Sequence, residues 1–225
     1  MNYQRIYEYR FAGVDQCARE AVWSVIAKYI KKLMGNPEII LDPAGGRGEF
    51  LRSLPEVNER WMVDAVKAID DSSLKGIHFI EHDIRSLELP ASYFNGIFVS
   101  NFFEHLDNQA DIYDLLAKFK DSLKPGGVIS VMGPNFKYCA HNYFDCADHR
   151  TPLTHISMEE LLYSAGYNIE RCIPRFLPFS FRGVLPANKF FTRLYLALPW
   201  LWWFAGRQFL LLARKPCHET SSTDI

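Results

Sequence analysis

A short apolar strand that runs into a glycine-rich turn is the feature that most constrains this chain. The stretch reads Ile39-Ile40-Leu41-Asp42-Pro43-Ala44-Gly45-Gly46-Arg47-Gly48, and a helical pattern begins at Glu49. A continuous apolar run suits a buried parallel strand, and glycines after it allow a ligand to approach the backbone closely. The backbone N–H groups at the start of the following helix have no partner within the helix and can bind a ligand. The sequence therefore predicts an α/β sheet with a ligand site at this turn, and an ordinary tight turn is the alternative.

The chemistry of the ligand is narrowed by Asp42 at the end of the strand. A carboxylate would repel a phosphate there, so it indicates a ligand with positive charge. The dinucleotide-binding fingerprint requires a third glycine where this chain has Leu51. The Gly-Lys-Ser/Thr sequence of a P-loop does not follow the glycines either. Both familiar nucleotide motifs are thereby excluded at this turn.

Acidic residues also follow the next two predicted strands. Asp64 lies near the end of the strand predicted over 61–66, and Asp83 follows the strand predicted over 77–80. An acid about 20 positions beyond a glycine turn can bind ribose, because a carboxylate can accept from two hydroxyls at once. We therefore predict that Asp64 binds a ribose, and a solvated aspartate at a strand end is the alternative.

Polar residues follow the fourth predicted strand, 97–100. Ser100 and Asn101 end it, and the run 103–106, Phe-Glu-His-Leu, places His105 just beyond. Ligands of open parallel sheets bind beyond the carboxyl ends of the strands, so these residues are expected near the reacting groups. A helix-capping or core role is the alternative for His105. Further on, Lys-Pro-Gly-Gly at 124–127 ends a predicted helix and leads into a fifth strand.

In this order and spacing, the features resemble those of class I S-adenosylmethionine-dependent methyltransferases. The turn is similar to their Asp-x-Gly-x-Gly-x-Gly motif, with Ala44 in place of the first glycine. The Leu-Glu-His-Leu and Leu-Lys-Pro-Gly-Gly runs are common in the same enzymes. The resemblance implies a doubly wound, seven-stranded, mostly parallel α/β sheet with an antiparallel last strand. It also implies S-adenosyl-L-methionine as the cofactor and S-adenosyl-L-homocysteine as its product.

The resemblance further implies which residues bind the cofactor. Asp83 would accept a hydrogen bond from the adenine amino group, and Ile84 would offer its backbone N–H and an apolar face. The complete implied set is Asp42, Ala44, Gly45, Gly46, Gly48, Asp64, Asp83, Ile84, Ser100 and Asn101.

The segment 133–156 lacks regular periodicity and is predicted to be a substrate loop. Asp148 and His149 are the favoured acid/base candidates, because a neutral imidazole can accept a hydroxyl proton, and His105 is the reserve candidate. An incidental polar loop is the alternative. The loop is rich in cysteine and histidine, but their spacings match no zinc pattern, so no metal site is predicted.

The chain is predicted to form a single domain, because it has 225 residues, of which 48% are hydrophobic. Residues 1–36 would form an arm and a helix, and 37–174 the cofactor-binding core. Residues 175–207 would form an aromatic-rich insertion, 208–217 the last strand and 218–225 a disordered tail. The arm either packs on the domain or covers the cofactor, with Tyr7 or Arg10 meeting the methionine carboxylate.

Charge and cysteine content narrow the class of protein. A formal net charge of −1 argues against a dedicated nucleic-acid binder, which is usually basic. The five cysteines are odd in number and the N-terminus has no apolar signal region. Together these features predict a cytoplasmic protein with reduced thiols.

The insertion carries an apolar run over 194–206, which is shorter than the span of about 20 residues that a membrane helix needs. One interpretation is a lobe that packs in the core or forms a homodimer. The other is peripheral contact of 186–206 with the inner face of a membrane. Its tryptophans and basic residues would then meet the headgroups; they are Trp200, Trp202, Trp203, Lys189, Arg193 and Arg207.

Three short runs also resemble a subgroup that is found with bacterial surface-polysaccharide biosynthesis. They are 173–178 (Ile-Pro-Arg-Phe-Leu-Pro), 194–196 (Leu-Tyr-Leu) and 206–208 (Gly-Arg-Gln). This resemblance implies a small-molecule acceptor, a sugar hydroxyl or amine in a glycan precursor. The alternatives are a lipid quinone or natural product as acceptor, and a non-catalytic protein that binds the cofactor.

Overall fold

A seven-stranded sheet is the centre of the computed structural model, which describes residues 3–179 and 188–217. The strands are β1 (Ile39–Asp42), β2 (Glu59–Asp64), β3 (His78–Glu81), β4 (Phe94–Ser100), β5 (Leu123–Pro134), β6 (Asn168–Ile173) and β7 (Gln208–Arg214). Their order in space is β3-β2-β1-β4-β5-β7-β6. The pairings from β3 to β5 are parallel, and β7 runs antiparallel to β5 and β6. The predicted fold class is confirmed.

The described helices flank the sheet, and several of them begin with a side-chain cap. They are α1 (Tyr3–Phe11), α2 (Gln16–Leu33), α3 (Glu49–Arg52), α4 (Gln109–Ser122), α5 (Phe136–Tyr143), α6 (His155–Ser164), α7 (Lys189–Ala197) and α8 (Pro199–Ala205). The Asp15 side chain caps α2 by accepting from the Ala18 N–H at 3.1 Å. A capping box between Thr154 and Ser157 starts α6. The segment 133–156 is therefore not irregular throughout, because it contains α5 and the start of α6.

Successive apolar residues along a strand point to opposite faces of the sheet. Ile40, Phe98 and Leu210 pack in one core with α2, α3, α7 and α8. Their neighbours Leu41, Val99 and Leu211 pack in a second core with α4 and α6. This period of two is what a sheet covered on both faces requires.

The sheet order places a crevice above β1. The chain steps from β1 outward to β2 and β3, and then crosses back to β4 on the other side of β1. Ligands of open α/β sheets bind at such a reversal, beyond the carboxyl ends of the strands. The glycine turn after β1 and the polar residues after β4 therefore lie at one edge of the sheet.

The aromatic insertion forms two helices that are broken at Leu198, where Pro199 begins α8. Tyr195, Leu196 and Trp202 face the core, and the Trp202 indole donates to the Tyr195 carbonyl at 2.8 Å. The expectation that Trp202 faces a membrane is thus wrong, because its ring is only 8% exposed. Among the described residues, no helix combines the length and apolarity that crossing a bilayer requires. The predicted tail 218–225 and residues 180–187 of the insertion lie outside the described part.

We predict that Phe50→Ala lowers the free energy of unfolding by about 3–5 kcal/mol. Phe50 anchors the four-residue helix α3 directly behind the glycine turn, and its ring centroid lies 4.0 Å from that of Phe98. Urea unfolding followed by circular dichroism measures the change. The matched control is Phe144→Ala, since Phe144 is 58% exposed. A loss equal to that of the control would contradict the anchoring role.

Candidate functional site

The glycine turn after β1 has the shape of a cradle. Gly46 and Gly48 have φ of 56° and 69°, a left-handed conformation that favours glycine. A Cβ atom on Gly45 would lie 2.5 Å from Cγ of Met62, so packing allows no side chain there. A Cβ on Gly46 would meet no atom within 4 Å. The backbone at Gly46 therefore borders open space, as the predicted approach of a ligand requires.

Asp64 at the end of β2 ties this turn to the neighbouring strand. Its carboxylate accepts from the backbone N–H of Gly46 at 2.7 Å and from that of Val66 at 3.0 Å. Burial raises the pKa of Asp64, and these N–H groups oppose the rise. A carboxylate has about four lone-pair sites, so two remain for ribose hydroxyls. The geometry fits the predicted role and adds a structural one.

Asp42 lies at the end of β1 with a carboxyl that is 3% exposed. Its Oδ1 is 3.4 Å from the Ala44 N–H. Burial raises the pKa of Asp42 to about 8, and the charges of Asp64 and Glu49 add to the rise. A cationic ligand group would offset this accumulation of negative charge.

Asp83, after β3, is held by Arg85. The Arg85 guanidinium reaches both carboxylate oxygens at 2.6–3.0 Å, and its backbone N–H donates to Oδ1 at 2.9 Å. The hydrogen bond from Arg85 lowers the pKa of Asp83. An adenine amino group would have to share this carboxylate with the guanidinium. Ile84 beside it is buried and can supply an apolar wall.

Ser100 and Asn101 lie at the carboxyl end of β4, as predicted. Asn101 has φ of 50°, and its side-chain amide donates to the Ser100 hydroxyl at 2.9 Å. The Asn101 N–H donates to the Met132 carbonyl at 2.8 Å. This bond links the ends of β4 and β5, so the residues after both strands share the crevice with the glycine turn.

His105 and Asp148 come together from separate segments. His105 Nδ1 is 3.0 Å from the Asp148 carbonyl and 3.5 Å from the Asp148 carboxylate. Because a carbonyl can only accept, this contact places the proton on Nδ1 and the lone pair on Nε2. The sequence favoured Asp148 and His149 as the acid/base candidates with His105 in reserve, and the structure brings Asp148 into contact with His105.

Arg10 of α1 forms an ion pair with the Asp148 carboxylate. Burial favours the neutral form of Asp148, but the hydrogen bond from Arg10 and the charge of His105 outweigh it, and the pKa of Asp148 is lowered. The N-terminal arm thus lies against the segment that carries Asp148. The side chain of Tyr7, the other candidate of the arm, is outside the described residues.

His149 lies beside these groups in an aromatic setting. Its ring centroid is 4.7 Å from Tyr143 and 5.1 Å from His105. Burial lowers the pKa of His149 to about 4, and the positive charge of His105 contributes. His149 is therefore neutral at neutral pH and a weak base.

Two acids of the site were not found from the sequence. Glu49, the first residue of α3, is 8% exposed and pairs with Arg19 of α2. Glu104, between Phe103 and His105, is 2% exposed, and burial raises its pKa. An acid enclosed by apolar residues is a weak signal in a sequence, because the same pattern occurs on helix surfaces.

The comparisons with known proteins agree with this geometry. A family model described as "Methyltransferase domain" matches residues 18–171. No curated protein matches the chain in sequence.

Solved structures are similar over nearly the whole chain. An S-adenosylmethionine-dependent methyltransferase from Archaeoglobus fulgidus has a TM-score of 0.64 at 22% identity, covering 95% of this chain and 100% of that chain. A Haloferax volcanii methyltransferase, solved with the activator Trm112, has a TM-score of 0.67 at 16% identity, covering 94% of this chain and 97% of that chain. The Burkholderia thailandensis 1,6-didemethyltoxoflavin-N1-methyltransferase, solved with S-adenosylhomocysteine, has a TM-score of 0.61 at 19% identity, covering 95% of this chain and 89% of that chain. At these identities the structures establish the fold, and the family match covers more than half of the chain. The chain belongs to the methyltransferase-domain family and is a class I S-adenosylmethionine-dependent methyltransferase.

Proposed function

We propose that the protein methylates a hydroxyl or amine of a sugar in a glycan precursor. The observation that carries this proposal is the contact of His105 with Asp148 at the sheet edge that holds the glycine turn. A small acceptor there would meet a proton acceptor beside the cofactor. The sugar is suggested by the runs 173–178, 194–196 and 206–208, which resemble those of enzymes found with surface-polysaccharide biosynthesis. A lipid quinone or natural product is the alternative acceptor.

We assign the cofactor to the turn and to the strand ends around it. When bound, it supplies an electrophilic sulfonium methyl group. Asp42 would face the positive charge of the cofactor. Gly46 and Gly48 would let the cofactor approach the protein backbone closely, and Asp64 would accept hydrogen bonds from the ribose hydroxyls. Asp83, Ile84, Ser100 and Asn101 would complete the adenine and acceptor sides. Since the sulfonium is intrinsically reactive, alignment and exclusion of water do most of the catalytic work.

We assign the proton acceptor to His105 rather than to His149, the residue favoured from the sequence. The Asp148 carbonyl holds the His105 ring with the Nε2 lone pair available, and the nearby carboxylate would stabilise the imidazolium that forms. A pKa of about 4 makes His149 a poor match for a base that works near neutral pH. His149 would instead shape the apolar wall of the acceptor pocket, and Arg10 would hold Asp148 in place.

We propose further that the insertion rests on the anionic inner face of a membrane, where a lipid-linked acceptor would be found. Phe190, Trp200, Trp203 and Phe204 are 60–69% exposed on α7 and α8. No aspartate or glutamate occurs from residue 171 to 218, a stretch with eight lysines and arginines. The patch adjoins the acceptor side, because Arg175 lies over the Trp203 ring at 5.4 Å and over Tyr138 at 4.8 Å. A cytoplasmic location accords with this surface.

Asp64→Ala is expected to weaken binding of S-adenosylhomocysteine at least about tenfold, because hydrogen bonds to a charged group contribute about 1.5–3 kcal/mol each. Isothermal titration calorimetry measures the affinity. Asp71→Ala is the matched control, since the Asp71 side chain is 86% exposed. An affinity within twofold of wild type, with the fold intact, would sink the ribose assignment. If wild type does not bind the cofactor product at all, the protein is a degenerate member of the family.

His105→Ala is expected to lower turnover by about 10²–10⁴-fold and to leave affinity for S-adenosylhomocysteine unchanged. Turnover is measured as methylated product by mass spectrometry, with the best acceptor from a screen of nucleotide- and lipid-linked sugars. His149→Ala should lower turnover less than His105→Ala does. His141→Ala, in an exposed position of the same segment, should leave turnover unchanged. If His149→Ala abolishes turnover while His105→Ala retains it, the assignment of the base is reversed.

The wild-type protein is expected to co-sediment with anionic liposomes at low salt. A Trp200→Ser, Trp203→Ser variant should stay in the supernatant, because it loses the rings that would enter the headgroup layer. The matched control is Phe144→Ser, Tyr163→Ser, which removes two exposed aromatics elsewhere on the surface. If wild type stays in the supernatant, the membrane proposal is wrong. A mass of two chains in solution would then assign the patch to a homodimer.

A further inference from the structure

Three side chains with metal-binding atoms converge where the turn after β4 meets the segment between α5 and α6. Glu104, His105 and His149 each offer one ligand atom, and these atoms all lie within 4.8 Å of one another. Glu104 and His105 belong to the 3-10 turn Phe103–His105 after β4, and His149 to the segment between α5 and α6. The two segments are fixed to each other, because the Glu104 carbonyl accepts from the N–H groups of Arg150 and Thr151 at 2.8 and 3.1 Å.

The second observation is an imidazole nitrogen that the fold leaves unused. His149 Nδ1 is buried and has no hydrogen-bond partner among the residues that the structure describes. A buried polar atom without a partner costs about 1–3 kcal/mol, so native proteins normally avoid one. A ligand that accepts the nitrogen lone pair would remove this cost.

The third observation is the orientation of His105. Its Nδ1–H donates to the Asp148 carbonyl at 3.0 Å, which leaves Nε2 as the nitrogen with a lone pair. Metal-binding histidines almost always donate their other ring N–H to a carbonyl or carboxylate in this way. The ring is thus set up as a metal ligand would be, whether or not it also accepts protons.

We propose that Glu104, His105 and His149 form a binding site for a divalent cation that prefers nitrogen and oxygen ligands, such as Zn²⁺. Two imidazoles and one carboxylate make a three-ligand set that leaves a fourth position open. Tetrahedral bonds of about 2.0–2.1 Å need ligand atoms about 3.3 Å apart, so rotation of the side chains must bring them closer. Ionised Glu104 would supply the negative charge that a cation requires, and the nearby charge of Arg10 is balanced by its pairing with Asp148.

The site regulates the reaction, and this part rests on the proposed function. A bound cation and the acceptor proton compete for the same lone pair of His105. Occupancy therefore removes the free base, and Zn²⁺ is an inhibitor of transfer to a hydroxyl. The sequence predicted no metal site because zinc patterns are defined by short spacings, whereas these ligands come from segments that only the fold brings together.

Binding is tested on the full-length protein, independently of activity. Zn²⁺ is titrated calorimetrically, and Co²⁺ is titrated while its visible absorption is recorded. The expected result is one ion per chain. Glu104→Gln and His149→Asn should each weaken metal binding strongly. The loss should exceed the factor of about 10–100 in metal affinity that follows removal of a group that only orients a ligand. His141→Asn, in an exposed position, is the matched control. The thermal unfolding midpoint of each variant without metal shows whether it is folded.

The outcomes separate this proposal from the proposed function. No Zn²⁺ binding by wild type overturns the site, and so does equal binding by wild type, Glu104→Gln and His149→Asn. If Glu104→Gln fails to fold, the comparison of His149→Asn with His141→Asn decides alone. In active wild type, Zn²⁺ should inhibit at the concentration that half-saturates the site, and chelation should restore turnover. Active enzyme with Zn²⁺ bound overturns the regulatory role, whereas an inactive wild type with intact binding contradicts only the proposed function.

Discussion

A buried carboxylate, Asp42, and a half-buried one, Asp64, at the ends of adjacent parallel strands are the constraint on which the rest of the site depends. Asp64 accepts from the Gly46 N–H and thereby fixes the glycine turn to β2. Asp42 is buried behind the same turn, where burial raises its pKa to about 8. Burial thus makes the ionised form of Asp42 costly in free energy unless a positive partner is present. Under the proposed assignment, the cationic cofactor would be that partner, and the free-energy cost of burying Asp42 would become selectivity for the ligand.

The remaining groups of the site are brought to this edge by sheet topology. Because β1 lies between β2 and β4, the turn after β1 and the histidine after β4 share one crevice. The segment after β5 adds Asp148 and His149, and α1 adds Arg10, which pairs with Asp148. Under the proposed function, the acceptor side would be assembled from three of these parts: the turn after β4, the segment after β5 and α1. The sheet, with helices on both faces, holds these parts, and Arg175 connects the exposed Trp203 of α8 to Tyr138 of α5.

Much of the fold could be predicted from the sequence because its signals are local. The apolar strands, the Asp15 cap of α2 and the glycine turn each depend on residues close together in the chain. The pairing of His105 with Asp148, the burial of Glu104 and the inward face of Trp202 depend on which segments meet in space. Composition alone could not tell which of Trp200, Trp202 and Trp203 is buried. In the helix, Trp202 alone among them points toward the core. Helix α5, which is kinked at Cys139, was missed because its eight residues carry little periodic signal.

The most direct test of the account is how binding of S-adenosylmethionine depends on pH. A cationic ligand favours the ionised form of Asp42, whose pKa is about 8 in the cofactor-free protein. Below that pH, binding must release a proton, so affinity should rise as pH is raised from about 6 to 7.5, by up to about tenfold per unit. The amino group of the ligand stays largely protonated over this range. Calorimetry on wild type and Asp42→Asn should show this rise for wild type and a weaker, flat profile for the variant. Equal affinity and the same pH profile in both proteins would contradict the assignment of the buried carboxylate to the cofactor charge.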